Sequence, residues 1–184
     1  MHLTLRAAAT SSAPPLVLRP WRDDDLDDLR EAYRDPVLQR WTSWPVSTPE
    51  QGRQWLDQAR HDWASGHRFT FAVCENGVDG PRLVANVVLK KVTPGRPVAE
   101  VGYWTAAWAR GRGVAPRAIT ALSGWAFDEF TGLNRLDLLH QVDNVASCRV
   151  AQKSGYLLQE VVPAYPPYPR DGHRHALAAP ATAR

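Results

Sequence analysis

Between Pro97 and Val142 the chain changes element type in an order that few folds accept. "PVAEVGYWT" (97–105) alternates like a strand, with Glu100, Gly102 and Trp104 on one face. A glycine-rich turn, "ARGRGVA", follows after a short connection. Ala115, Ala118, Ile119, Leu122, Trp125, Ala126 and Phe130 then recur at helical spacing, which predicts an amphipathic helix over 114–130. "RLDLLHQV" (135–142) returns as a strand. A strand–helix–strand unit of this kind places the chain in the α/β class.

The flanks extend the same pattern. "PLVLRPW" (15–21) reads as a strand, and "DDDLDDLREAYRD" after it as a helix with acids in its first turn. Thr48 as N-cap, Pro49 and Gly66 bound a helix over 47–66. "RFTFAVCE" (68–75), "RLVANVVLKKV" (82–92) and the strand at 97–105 follow as a meander, with "NGVDG" turning the first into the second. "DNVASCRVAQKSG" predicts a short helix capped by Asp143 or Asn144 and stopped at Gly155. A strand "YLLQEVV", a proline-rich loop "PAYPPYPRDG" and a last strand "HRHALAA" complete the order βααβββαβαββ. This predicts a flexible leader over 1–15, one domain over 16–179 and a tail over 180–184.

Composition narrows the function classes. No apolar run reaches the ~20 residues of a transmembrane helix, and residues 1–15 hold no signal-type apolar core. Cys74 and Cys148 form no CxxC pair, which suits reduced thiols in a cytoplasmic protein. His173 and His175 could share a metal on one strand face, but no third ligand is evident, so no metal is expected. The net charge of +3 is too small and scattered to argue for nucleic acid. Trp41 and Trp44 lie in "RWTSWPVSTPE", a loop-like stretch, and are candidates to line a substrate pocket or simply to pack.

The turn before the third long helix carries Arg110, Arg112 and Arg117 with no carboxylate nearby in sequence. A helix N-terminus leaves amide hydrogens unbonded and about half a positive charge. Gly111 and Gly113 would let that backbone curl around an oxyanion, so the neutralising charge is expected to belong to a ligand. The spacing fits neither GxxxxGK[ST] nor GxGxxG, because Pro116 occupies the sixth position from Gly111. A solvated loop ahead of an ordinary helix, or an arginine patch on nucleic acid, remains compatible with the turn alone.

Four pieces in order, "AEVGYW", "ARGRGVA", "VDNVAS" and "RVAQKSGY", resemble the GNAT superfamily of acyl-CoA N-acyltransferases, most closely its Rim-type branch. The resemblance implies a central mixed, mostly antiparallel sheet of six to seven strands, flanked by about four helices, with a splay between two parallel strands. It implies acetyl-CoA as co-substrate, its pyrophosphate on the amides of Arg112, Gly113, Val114 and Ala115, with Arg110 and Gly111 shaping the turn. The pantetheine arm would lie in the splay against Trp104, Thr105 and Asn144. Pro116 departs from an all-donor first turn and contributes no amide hydrogen.

The implied reaction moves an acetyl group to a primary amine, on a protein N-terminus or a small molecule, by direct attack in a ternary complex. A non-catalytic CoA-binding module is the alternative. An α-amino group has a pKa about 2.5 units below that of lysine, a difference of roughly 3.4 kcal/mol in deprotonation, so a weak base suits N-termini better. Glu100 and His140 are the candidate bases. A tyrosine that many relatives use against the leaving thiolate is replaced by Ala151, and the resemblance assigns that contact to Ser147 instead. The branch implies a monomer or homodimer.

Overall fold

Alternation in the strands sorts the apolar residues onto two faces of one sheet. The computed structural model describes residues 3–77 and 80–181. Its strands are β1 (Leu5–Ala7), β2 (Leu16–Pro20), β3 (Arg68–Gly77), β4 (Gly80–Lys90), β5 (Val98–Thr105), β6 (Arg135–Gln141), β7 (Leu157–Val162) and β8 (Gly172–Ala178). They lie in the order β1-β2-β3-β4-β5-β6-β8-β7. The helices are α1 (Leu26–Ala32), α2 (Pro36–Trp41), α3 (Pro49–Ser65), α4 (Val114–Glu129) and α5 (Val145–Lys153), with 3-10 turns at Asp23–Asp25 and Ala107–Ala109.

Along β3, Phe71 and Val73 join a core that includes Ile119 and Leu122 of α4, whereas Ala72 and Cys74 join Leu29, Leu38 and Leu56 of α1 to α3. Successive strand residues point to opposite faces, so the helices sandwich the sheet. Trp104 falls on the second face, edge-on to Tyr33 at 5.8 Å between centroids.

The architecture is the α/β sheet expected, with the strand–helix–strand unit at its centre. β5 and β6 are parallel and every other pairing is antiparallel. Among the described residues the sheet has eight strands rather than six to seven, because the expected leader contains β1. Leu5 and Ala7 pair with Leu18 and Leu16, and Ala7 is buried. Arg117 then ties the following loop down by donating to the carbonyls of Ala8 (2.6 Å) and Pro14 (2.7 Å).

Among the described residues the helices number five rather than about four. Pro36 cannot continue α1, and Asp35 starts α2 by accepting from the amides of Val37 and Leu38. Trp41 therefore closes a helix instead of lying in a loop. The β3–β4 turn expected at 76–80 and the tail at 180–184 fall partly outside the described residues.

Tyr156 locks α4 against the strand that follows α5. It is fully buried, and its hydroxyl lies 2.7 Å from Ser123 Oγ, which also donates to the Ile119 carbonyl at 2.8 Å. Tyr156→Phe leaves Ser123 that second partner and should cost about 1 kcal/mol. Tyr156→Ala empties the site and should cost about 3–5 kcal/mol. Equilibrium urea unfolding of both variants checks the difference.

Candidate active site

β5 and β6 pair from Val98 with Arg135 to Val101 with Leu138, and no further. Beyond those positions each strand continues, β5 to Thr105 and β6 to Gln141, without the other. This is the expected splay, and a cleft of about 740 Å³ opens along it. Trp41, Trp44, Glu100, Trp104, His140, Asn144 and Ser147 all line that cleft. Thr105, at the end of β5, and the stretch Arg110–Ala115, which opens α4, are not among its lining residues. Tyr165 and Tyr168, from the proline-rich loop, complete its wall.

The two faces of the sheet contribute different chemistry. On the face of α1 to α3, Glu100 sits opposite Lys90 in register and forms an ion pair with it. Lys91 reaches the other carboxylate oxygen at 2.6 Å. Its backbone is left-handed, φ 61°, a conformation that costs a non-glycine residue about 1–2 kcal/mol. Burial pushes the Glu100 carboxyl up, but the two ammonium groups outweigh it and hold the pKa below its ordinary 4.5. Glu100 is thus an ionised, weakly basic group. Arg170, in the cleft wall, shares Asp143 with Arg40, at 3.2 and 2.8 Å.

On the face of α4 and α5, Asn144 caps α5 by accepting from the Ser147 amide at 3.2 Å. The cap places Ser147 in the first turn, where its Oγ lies 2.9 Å from the Tyr103 hydroxyl. Burial raises the pKa of Tyr103, so its phenol keeps its proton. The sequence reasoning passed over Tyr103 although it lies within "AEVGYW". Alternation put it on the opposite face from Glu100, and the splay is what brings that face into the cleft. Lys90 and Lys91 were also missed; only strand register could have paired them with Glu100.

His140 is present but engaged. Its Nδ1 lies 2.8 Å from the Gln141 carbonyl and must carry the proton there, while Nε2 lies 3.2 Å from His175 Nε2. Burial holds its pKa below the ordinary 6.5. Neither ring nitrogen is left for a substrate in this arrangement. His173 and Cys148 adjoin the same group, so the third partner that the HxH spacing lacks is supplied by β6 and α5.

The arginine turn requires a correction. Arg110 pairs with Asp35 and Arg112 with Glu75 at 2.6 Å, so the protein itself neutralises these charges from distant positions. Burial raises the Asp35 pKa, yet Arg110 and the amides of Val37 and Leu38 hold it below the ordinary carboxylate value. What remains for a ligand is backbone. Gly111 and Gly113 have φ 74° and 71°, and a Cβ at either would meet nothing within 4 Å. Among the described residues, no amide from Gly111 to Ala115 donates a hydrogen bond.

A mixed sheet with a splayed parallel pair and a glycine turn of free amides defines a class of acyl-CoA transferases. The family profile "Acetyltransferase (GNAT) domain" matches residues 15–157, and the chain belongs to this family of acetyl-CoA-dependent acetyltransferases. No curated protein sequence matches it. A candidate ribosomal-protein-serine acetyltransferase from Vibrio cholerae has a similar structure, at 24% identity and TM-score 0.79, covering 93% of this chain and 96% of that one. Mycobacterium smegmatis RimJ in complex with CoA-disulfide aligns at 21% identity and TM-score 0.79, covering 100% of this chain and 89% of that one. The microcin C7 self-immunity acetyltransferase MccE, in complex with acetyl-CoA and AMP, aligns at 17% identity and TM-score 0.80, covering 92% and 98%.

The Glu100 ion pairs carry a signed pH dependence. A carboxyl whose pKa is lowered on folding adds stability above its unfolded value, and loses it as pH falls through the folded value. Glu100→Gln should therefore lower stability by about 1–2 kcal/mol near neutral pH. The gap between variant and wild type should close as pH falls below the ordinary 4.5. Denaturant unfolding at neutral and acid pH measures it.

Proposed function

We propose that this chain transfers the acetyl group of acetyl-CoA directly to a primary amine in a ternary complex, and that the amine it accepts has acidic groups beside it. The observation that carries the transfer reading is the parting of β5 from β6 above Val101 and Leu138, which leaves the segment of β5 that runs to Trp104 and Thr105 without a partner strand on that side, beside an open groove. An arm bearing amides fits such a groove as a substitute strand. Asn144 has its Oδ1 committed to the α5 cap, so its Nδ2 is the group that would hold the arm. The amides of Arg112, Gly113, Val114 and Ala115 would hold the diphosphate, with the positive end of α4 behind them. Pro116 ends that series of donors.

Bound acetyl-CoA supplies a thioester-activated acetyl group. The Ser147 hydroxyl, backed by the protonated Tyr103 phenol, donates toward the leaving sulfur. Glu100 orients the amine and takes its proton only weakly, directly or through water, because two lysines already satisfy its charge. His140, with both nitrogens engaged, is not the base.

The charge of the cleft favours an acceptor class. Glu100 is shared by two lysines and Asp143 by two arginines, so each cluster leaves one surplus positive charge. A polycationic amine is repelled by such a cleft; an amine beside carboxylates or phosphates is attracted. The likeness to RimJ supports a Rim-type, cytoplasmic enzyme, and the surplus positive charge supports a protein N-terminus of acidic sequence as its acceptor.

Thiol release from acetyl-CoA with a panel of amines tests this reading. Peptides with acidic residues after a free N-terminus should exceed basic peptides and spermidine by on the order of tenfold in kcat/KM at low salt, and the advantage should shrink as salt screens it. A preference for polyamines would overturn the acceptor class. CoA binding without turnover on any amine would replace the enzyme by a binding module.

Gly113→Val tests the cradle separately. The substitution forces a β-branched residue to φ 71° and points its side chain into the space a diphosphate would occupy. CoA affinity by calorimetry should fall by on the order of tenfold or more, while the melting temperature stays close to that of the Gly111→Ala variant. Unchanged affinity removes the cradle from the mechanism.

A further inference from the structure

Behind the thiol side of the cleft, three strand and helix segments converge on one point with four metal-binding side chains. His140 of β6 faces His173 of β8 across the strand pair, and His175 lies two residues further along the same face of β8. Cys148 projects onto them from α5. The donor atoms of all four lie within 4.8 Å of one another. His140 Nε2 is 3.2 Å from His175 Nε2, and Cys148 Sγ is 3.2 Å from His173 Nδ1 and 3.7 Å from His175 Nε2.

We propose that His140, Cys148, His173 and His175 form a tetrahedral binding site for one divalent ion of the zinc type. Bonds of about 2.05 Å to nitrogen and about 2.3 Å to sulfur in a tetrahedron separate nitrogens by about 3.3 Å, and nitrogen from sulfur by about 3.6 Å. The three separations above fall around these values, and the other three stay within 4.8 Å.

The surroundings complete the argument. A metal-binding imidazole commonly directs its other nitrogen at a carbonyl, which fixes the tautomer. His140 does so toward Gln141 at 2.8 Å. His175, 1% exposed, leaves its Nδ1 buried without a hydrogen-bond partner. An ion on Nε2 would hold the proton on that Nδ1. One thiolate with three imidazoles is a donor set for zinc, cobalt(II) or copper rather than for magnesium or calcium.

Four protein ligands close the site, which gives the ion a structural role. It would clamp the first turn of α5 to β6 and β8, and Ser147 is the neighbour of Cys148 in that turn. The ion thus fixes the hydroxyl proposed to meet the leaving sulfur. It also turns Cys148 and His140 into ligands, so neither serves as nucleophile or base.

Metal titration of the full chain, first stripped by chelator, decides the matter without reference to acetyl transfer. Cobalt(II) should bind one per chain, with a thiolate charge-transfer band in the near ultraviolet and the intense visible bands of tetrahedral cobalt. Zinc should bleach both and raise the melting temperature. Cys148→Ser should abolish the charge-transfer band and Cys74→Ser should keep it. His173→Gln should weaken affinity by on the order of a hundredfold. The wild-type spectrum alone is decisive should a variant fail to fold. Weak octahedral bands without charge transfer, or a band that survives Cys148→Ser, would overturn the site and leave a hydrogen-bonded histidine–cysteine cluster. That outcome would not touch the acetyltransferase reading, which rests on β5 and the α4 turn.

Discussion

β5 and β6 exchange hydrogen bonds over four register positions and then part, and the arrangement of the site depends on that parting. In a continuous sheet the two faces are separated by paired backbone, and a side chain on one cannot serve chemistry on the other. Here the gap joins them. Glu100 and its lysines look in from the face of α1 to α3; Tyr103 and Ser147 look in from the face of α4 and α5. The acceptor amine and the leaving sulfur can therefore approach from opposite sides of the sheet and meet at one point. The cost is unpaired main chain on the β6-facing side of β5 beyond Val101, which is tolerable where water or an amide-bearing ligand satisfies it. Flanking pairings keep the gap from closing: β4 holds β5 as far as Thr105, and β8 holds β6 along its whole length.

The parts of this legible in the sequence were those set by local pattern. Alternation around Glu100 and helical spacing from Ala115 to Phe130 gave the central unit, and Thr48 with Pro49 marked the start of α3 as found. Asn144 was legible as a cap because capping is a short-range bond. What was not legible required register or distant partners. The ion pair of Lys90 with Glu100 exists because β4 and β5 align those two positions, ten residues apart in sequence. Leu5 and Ala7 look like leader residues until β2 offers them Leu18 and Leu16. Pro36 opens α2 behind the Asp35 cap, but a helix of six residues leaves too little periodicity to show in the sequence, which reads as a loop around Trp41.

The arginine turn shows how sequence proximity misleads about charge. Arg110 and Arg112 look unneutralised because no acid lies near them along the chain. In space Asp35, the cap of α2, and Glu75, at the end of β3, are already there. These pairs do a different job from the one expected of the arginines. They brace the turn so that Gly111 and Gly113 hold positive φ with their amides free. In the proposed reading anion recognition would fall to backbone, whose donors carry no side-chain entropy and cannot be drawn off by a competing carboxylate. The distinction matters for specificity, since a turn of fixed amides selects for shape as well as for charge.

The same accounting of partners bears on how an amine loses its proton in this cleft. A strong base would need a pKa near the working pH, and Glu100 is moved the other way by Lys90 and Lys91. His140 has its nitrogens taken by Gln141 and His175. In the proposed reaction the cleft therefore works on the amine rather than on a base. Surplus positive charge around the acceptor disfavours an ammonium ion, and each unit by which it depresses the amine's pKa is worth about 1.4 kcal/mol toward the neutral nucleophile. That effect suffices for an α-amino group, which begins near neutrality, and falls short for a lysine. The lysines beside Glu100 thus restrain a base and at the same time remove the need for one, and a cleft built so selects its acceptor by proton affinity as well as by charge.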